Sequence, residues 1–391
     1  MNRRAAASLT VRAALVAVAL VACQVVAGID RVEKVDPGSS TPDASDGDAK
    51  LDSGPSDPCS HALPPPQPDN DDDRDAELPP FYLALRTLDV IAKEGSLYRG
   101  FDLDGACTCD DRPGTAFGGE ASCTPKVRQC DQDGGIDNKG AALFEKFAPT
   151  GYSPNEVANS GIAQGRRGLL LYIKNYNGKK NDRQVSVGLL VTHGIIDGSG
   201  CGTTSGQVHS PPGWCGNDLW TFPVGQVKPT TKEPLFQGNG YVNDGVLVFR
   251  SDEETTVLFG GTLLPFGSPM MAARLGQNQD GHWTLDGLLG GRLPVTDLLA
   301  AVGTINDPQG GGNGLCNNAA LFGTVKKELC DAVDINKSNA FDFKQGACDG
   351  VSTAIAFTAE QASVGEERTE PPESHPCDKA NVPPDLYTCT P

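Results

Sequence analysis

Aspartates alternate with other residues beside glycines in two short segments, Asp102-x-Asp104-Gly105 and Asp131-x-Asp133-Gly134-Gly135-x-Asp137-Asn138. Such alternation sends carboxylates to one side of a tight loop while glycine permits the turn, which is how calcium loops collect hard oxygen ligands. Against a full twelve-residue calcium loop the second segment is partial: Gln129 replaces the first acid, and Gly140 stands where a bidentate Glu would close the site. The chemistry expected of Asp102, Asp104, Asp131, Asp133 and Asp137 is calcium binding, with the two segments completing one another. The plain alternative is an ordinary Asp/Gly turn braced by Cys130.

A second group is Trp214, Asp218 and Trp220, with Trp283 further on. A tryptophan beside an acid can stack on a sugar ring and accept its hydroxyl hydrogens, whereas the bland use of the same tryptophans is to fill a core. A glycosidase would in addition need two carboxylates about 5–9 Å apart, a condition many Asp/Glu pairs of this chain could meet. The other catalytic templates fail: there is no Gly-x-Ser-x-Gly elbow, no His-Glu-x-x-His and no Gly-rich loop ending in Gly-Lys-Ser/Thr. His193, with Asp197 and Ser199 close by, is a triad only in linear sequence, and triads meet in space. A binding or structural role is expected over an enzymatic one.

The N-terminus explains how such a chain would be deployed. A basic start (Arg3, Arg4, Arg12) precedes an apolar run of ten residues from Ala13 to Ala22, followed by Cys23. That order is a secretory signal, and ten residues fall short of the roughly 20 needed to span a bilayer. Leu20-Val21-Ala22-Cys23 resembles the lipobox of bacterial lipoproteins, which implies cleavage before Cys23 and acylation of its thiol. Of thirteen cysteines, twelve then remain in a compartment where disulfides persist: Cys59, Cys107, Cys109, Cys123, Cys130, Cys201, Cys215, Cys316, Cys330, Cys348, Cys377 and Cys389. Connectivity is open, with Cys201/Cys215, Cys316/Cys330 and Cys377/Cys389 as local pairs, a knot of Cys107, Cys109, Cys123 and Cys130, and Cys59/Cys348 as a long-range pair. The spacing of the knot is not the two-residue knuckle of a zinc site, so disulfides are the better reading.

The net charge is −18, and removing residues 1–22, with three arginines and no acid, leaves −21. Such a surface repels nucleic acid and anionic headgroups, so membrane attachment falls to the lipid. Residues 23–80 carry 14 acids against 4 basic residues and ten prolines. They read as a disordered, self-repelling tether, with the Asp69–Asp75 run simply solvated.

Elements able to position the two candidate sites begin near Phe81 and end near Val364, leaving 365–391 as a tail. Strands are expected at Phe81–Val90, Leu169–Lys174, Val185–Thr192, Gly245–Arg250, Thr255–Phe259 and Ser352–Thr358, with a hairpin signal at Asn177-Gly178. Short helices are expected over Gly140–Phe147, Leu298–Val302 and Leu321–Cys330. Forty-seven glycines and 29 prolines between β-branched runs point to a mainly β fold, an antiparallel sandwich or jelly roll braced by disulfides, with a small Cys-rich subdomain at 102–150.

Several short motifs occur in a fixed order: Asp104-Gly105-Ala106-Cys107-Thr108-Cys109, Asp133-Gly134-Gly135-Ile136-Asp137-Asn138, Tyr176-Asn177-Gly178, Pro212-Gly213-Trp214 with Asn217-Asp218-Leu219-Trp220, and Cys348-Asp349-Gly350-Val351 leading to Ala356-Phe357-Thr358-Ala359. In that order they resemble uncharacterised secreted lipoproteins of myxobacteria and related soil bacteria, over roughly Asp102 to Gly365. The resemblance implies export, lipid attachment to the cell envelope and a β-rich fold; it implies no catalytic residue, and Gln24, rather than Asp, after Cys23 resembles the sorting pattern that makes the outer membrane the expected destination. An envelope glycan or another surface protein is the partner expected of such a module.

Overall fold

The computed structural model describes residues 57–72, 76–147, 153–196, 200–259, 262–305, 307, 314–344, 346–369, 377 and 386–389. The signal segment, Cys23 and the first part of the tether lie outside the described residues, as do Asp197 and Ser199.

Strand β1 (Phe81–Asp89) is followed by a two-residue hairpin, β2 (Lys93–Glu94) with β3 (Leu97–Tyr98), and then by the Cys-rich segment and helices α1 (Lys139–Phe147) and α2 (Pro154–Ala163). Next come β4 (Gly168–Lys174), β5 (Asp182–Thr192), β6 (Gly194–Ile195), β7 (Leu219–Pro223), β8 (Gln237–Asn243), β9 (Val246–Arg250), β10 (Thr255–Phe259), β11 (Thr262–Gln277) and β12 (Trp283–Pro294). Helices α3 (Val295–Thr304) and α4 (Ala319–Asp331) precede the long strand β13 (Gly350–Arg368).

The main sheet runs β1-β4-β5-β8-β9-β11-β12-β13, each pair antiparallel, and β13 returns to pair with β1. Eight strands in chain order thus close on themselves. This corrects the expected sandwich or jelly roll: the β-rich, antiparallel, disulfide-braced character holds, but the sheet is a closed barrel. Closure removes both edges of a sheet that would otherwise expose unpaired N–H and C=O groups. The hairpin around Asn177-Gly178 joins β4 to β5, with Asn175 and Gly178 both at positive φ (61° and 77°).

Alternation along each strand separates two faces. Leu83, Leu171 and Leu189 are register partners in turn, as are Phe249, Met271 and Leu289, and all six are buried. Their neighbours on the opposite face include Lys174, Asn239, Arg250, Arg274 and Asp286. The apolar face fills the barrel, as expected where eight strands enclose only enough room for side chains. Phe249 needs more space than its neighbours, and Gly238 supplies it: a Cβ there would lie 2.5 Å from the Phe249 ring. Gly291 does the same for Phe266, also at 2.5 Å.

Helix α2 was not legible from periodicity, because Asn155, Asn159 and Ser160 interrupt its apolar pattern. It is started by the Ser153 side chain, which accepts from Glu156 N, and by Pro154 in the first turn. Its asparagines do the packing: the amide oxygens of Asn155 and Asn159 accept from Val90 N and Leu88 N at 2.8 Å each.

All twelve cysteines pair. Cys201–Cys215 is the local bridge expected; the others are Cys59–Cys107, Cys109–Cys130, Cys123–Cys348, Cys316–Cys377 and Cys330–Cys389. The expected Cys316/Cys330, Cys377/Cys389 and Cys59/Cys348 pairs are corrected. Cys316 precedes helix α4 and Cys330 lies in its last turn; both are drawn to the C-terminal segment, where Tyr387 packs on Phe322.

The boundary at residue 80 also moves. Cys59 is 5% exposed, and residues 57–72 and 76–80 form an extended arm against the barrel. Its prolines carry no donor, so the barrel donates instead: Tyr241 Oη to Pro65 O, and Asn243 Nδ2 to Pro66 O at 2.9 Å. Asp71 and Asp72 of the acidic run accept from Arg183 N (2.6 Å) and Asn181 N (2.9 Å).

Exchanging Phe249 for Ala should lower stability by about 3–5 kcal/mol, whereas Arg250→Ala on the outer face should change it by no more than about 0.5 kcal/mol. Equal shifts in urea midpoint for the two variants would contradict the assignment of faces.

Candidate metal centre

The Cys-rich segment sits on a stretch of β13 that β1 leaves uncovered, since their pairing spans only Ala356–Ala362 of β13. Asn138 takes the place of a neighbouring strand there: its Oδ1 accepts from Ala354 N (3.1 Å) and its Nδ2 donates to Ala354 O (3.2 Å). Asp334 does the same one step along, accepting from Ser352 N at 2.9 Å and Ser352 Oγ at 2.6 Å. Unsatisfied backbone groups of the strand thus recruit the residues that flank the acidic loops.

The two loops meet face to face. Asp137 N donates to Phe101 O at 2.8 Å, and Leu103 N donates back to Asp137 Oδ2 at 2.7 Å. Cys109–Cys130 and the bond from Thr108 N to Asp131 Oδ2 (2.7 Å) join them again. Gly135, at φ +68°, is required: a Cβ would lie 2.6 Å from Ala106 O and 3.0 Å from Asp102 Oδ2.

One carboxylate oxygen from each of Asp102, Asp104 and Asp137 lies within 4.8 Å of the others. Oxygens that share a calcium ion at about 2.3–2.6 Å are separated by no more than about 5 Å, so the three can hold one ion together. Asp102 and Asp137 are 2% and 3% exposed. Asp102 Oδ1 accepts from Gly105 N (2.6 Å) and Asp104 Oδ1 from Ala106 N (2.9 Å), fixing both side chains. Ser122, 1% exposed, presents its hydroxyl to Asp104 without completing a hydrogen bond of good geometry. That leaves a buried oxygen aimed into the cluster.

The charge around the centre is unbalanced. Burial raises the pKa of Asp102 to about 6, with Asp104 adding to it and the His61 bond opposing. Burial and then Asp104 raise Asp131 to about 7, allowing for the opposing bond from Thr108 N. Asp334 is raised to about 6, again by burial, and Asp137 goes well above the ordinary value through burial and four neighbouring carboxylates. Arg292, fully buried, faces Asp104 but is spent elsewhere: Nη1 and Nη2 donate to the two oxygens of Asp342 (2.8 and 2.6 Å), to Asn336 O and to Leu103 O. His61, from the arm, bonds Asp102 through Nδ1 and Asp57 through Nε2. Burial opposes its charge, but the two carboxylates outweigh burial and raise its pKa.

Of the five expected ligands the structure brings together Asp102, Asp104 and Asp137. Asp131 stands beside them, its carboxylate turned to Thr108, and Asp133 is exposed and outside the cluster. A tight turn at Gly134-Gly135 interrupts the alternation that would have put Asp133 on the same side. His61, Ser122, Asp334 and Arg292 carried no spacing signal, since each arrives from a distant part of the chain. Cys59 and Cys107 near His61 are joined to each other, which removes their thiolates as soft ligands.

The Trp214, Asp218 and Trp220 group has a structural use. Trp220 is wholly buried, and Asp218 accepts from Gly213 N (2.9 Å) and Trp214 N (2.7 Å) to hold a turn. Trp214, with its ring 6.4 Å from that of Trp220, lies under the Arg86 guanidinium. Trp283 stacks on Phe81.

Neither a protein-family model nor a curated protein nor a solved structure matches the chain.

In the presence of a chelator the folded state holds protons on these aspartates that the unfolded chain, with the ordinary value of 3.8, has already released. Stability must therefore fall as pH rises from about 4 to about 7. Thermal unfolding in EDTA across that window should show a declining midpoint; a midpoint that rises steadily to pH 7 would mean the carboxylates are ionised and paired.

Proposed function

We propose that this protein is an exported, lipid-anchored binding or structural module of the cell surface, and that one calcium ion held by Asp102, Asp104 and Asp137 locks its Cys-rich cap onto the barrel. The observation that carries the metal is the convergence of three carboxylates, two of them almost wholly buried, against which the described residues set only His61, bonded to Asp102, and Arg292, whose Nη groups are engaged by Asp342 and two carbonyls. Hard oxygen donors without a free thiolate suit calcium rather than zinc. The ion would replace the protons that burial otherwise imposes on the cluster. Asp131, the Ser122 hydroxyl and water are at hand for further coordination.

The ion has a structural task. The cap is joined to the barrel edge by Asn138 and Asp334, and to the arm by Cys59–Cys107 and by Ala62, whose N–H donates to Gly134 O and whose carbonyl accepts from Asp102 N. Neutralising the cluster would therefore tighten the cap, the barrel and the arm at once. Support for surface anchoring is the signal segment and the Leu-Val-Ala-Cys23 sequence, with two or more acyl chains needed for stable attachment.

Calcium at about a hundredfold over its dissociation constant should stabilise the fold by about 2.7 kcal/mol and raise the melting midpoint by about 5 °C. EDTA should reverse the rise, and Asp137→Asn should abolish it. A midpoint indifferent to calcium at pH 7 would remove the metal from this reading, and an intact mass without lipid on Cys23 would remove the anchor.

A further inference from the structure

The arm and the barrel enclose a cleft that neither the metal nor the fold accounts for. It has a volume of about 900 Å³, within the range of small-ligand sites. One wall is the arm, with Gln67, Asp71, Ala76 and Glu77; the floor is the outer face of β5 and β8 and the β4–β5 hairpin. From these elements we infer that the cleft is a binding site for a neutral oligosaccharide. The inference rests on the binding-module reading above, and not on the calcium ion.

The lining selects the ligand class. Among the described residues the side chains of Asn175, Gln184 and Asn239 on the floor make no hydrogen bond, and those of Arg183 and Glu77 likewise keep their heads free. Planar carboxamide, carboxylate and guanidinium groups each offer two parallel hydrogen-bonding atoms, which match the vicinal hydroxyls of a sugar ring. Tyr241, half-buried on the floor, adds an aromatic surface, and its hydroxyl is already used to hold Pro65. Apolar side chains are nearly missing from the lining, which disfavours acyl chains and apolar peptides. Among the described residues of the lining a single arginine stands against Asp71, Glu77 and Asp182, which disfavours phosphate and other anions.

The described parts of the arm are tied to the hairpin: Gln67 Nε2 donates to Arg183 O at 2.7 Å, Arg183 N to Asp71 Oδ1 at 2.6 Å and Leu78 N to Tyr176 O at 2.8 Å. Prolines 64, 65, 66 and 68 limit what the arm can do besides. Each of these bonds lowers the ordering entropy left to be lost when a ligand enters.

The test uses the full-length mature protein, loaded with calcium, on an array of neutral and anionic oligosaccharides, followed by calorimetric titration of the best neutral binder. The expected result is saturable binding of a neutral oligosaccharide that falls by about tenfold or more in Gln184→Ala/Asn239→Ala, the loss of two hydrogen bonds. The melting midpoint of that variant and its response to calcium should be unchanged, since both side chains are exposed. Failure of every neutral oligosaccharide to bind, preference for anionic ones, or binding that survives the double substitution would each overturn the inference while leaving the calcium shift intact as a separate result.

Discussion

Pairing of β1 with both β4 and β13 is the constraint from which the remaining features follow. A sheet of eight strands in chain order has two edges, and joining them satisfies their backbone groups without a partner molecule. Closure also decides which side chains are inside, because register fixes the face of every residue on every strand. Glycines at 238 and 291 are then the accommodation that lets Phe249 and Phe266 enter a narrow interior.

Closure is incomplete at one place, and the candidate metal centre is built there. β13 is 19 residues long, and β1 covers only its middle part. The uncovered backbone at Ser352 and Ala354 must find donors and acceptors, and Asp334 and Asn138 provide them. Asn138 brings Asp137 with it, and Asp137 bonds Leu103 and so brings Asp102 and Asp104. An acid cluster of this density has a cost, since like charges in a desolvated site raise one another's pKa. Protons can meet that cost at low pH and a divalent cation can meet it at neutral pH. Arg292 meets only part of it, because both of its Nη groups are engaged by Asp342 and by two carbonyls.

The proline-rich arm shows how composition misleads near a folded surface. Residues 57–72 and 76–80 have little to bury and would not order alone. They are ordered here because Cys59–Cys107 fixes one end and because a chain poor in donors meets a barrel face that supplies them from Tyr241 and Asn243. The arm makes a cleft out of what would be a plain convex barrel wall.

Much of the framework was legible in the residue order. Runs of apolar and β-branched residues marked β1, β4, β5, β9 and β10 nearly to their ends, since such runs are a local signal. Helices α1, α3 and α4 were legible, α3 from a capping signal that the structure shifts, since Pro294 is its N-cap and Gly303 lies within it, while α2 was hidden by the asparagines it uses to pair with Leu88 and Val90. β11 and β12 were missed because Gly276, Gly287, Gly290 and Gly291 break the pattern in strands that need glycine for close packing. An even set of twelve cysteines and the acidic Asp/Gly loops were equally plain. What the order of residues could not decide was which ends meet. Whether a meander of strands lies open, folds into two layers or closes is settled by one pairing between residues some 270 positions apart, and neither periodicity nor composition carries that distance. The disulfide partners of Cys59, Cys123, Cys316 and Cys330, the meeting of Asp102 and Asp104 with Asp137, and the burial of Trp220 all depend on that closure, so only the tertiary structure determines them.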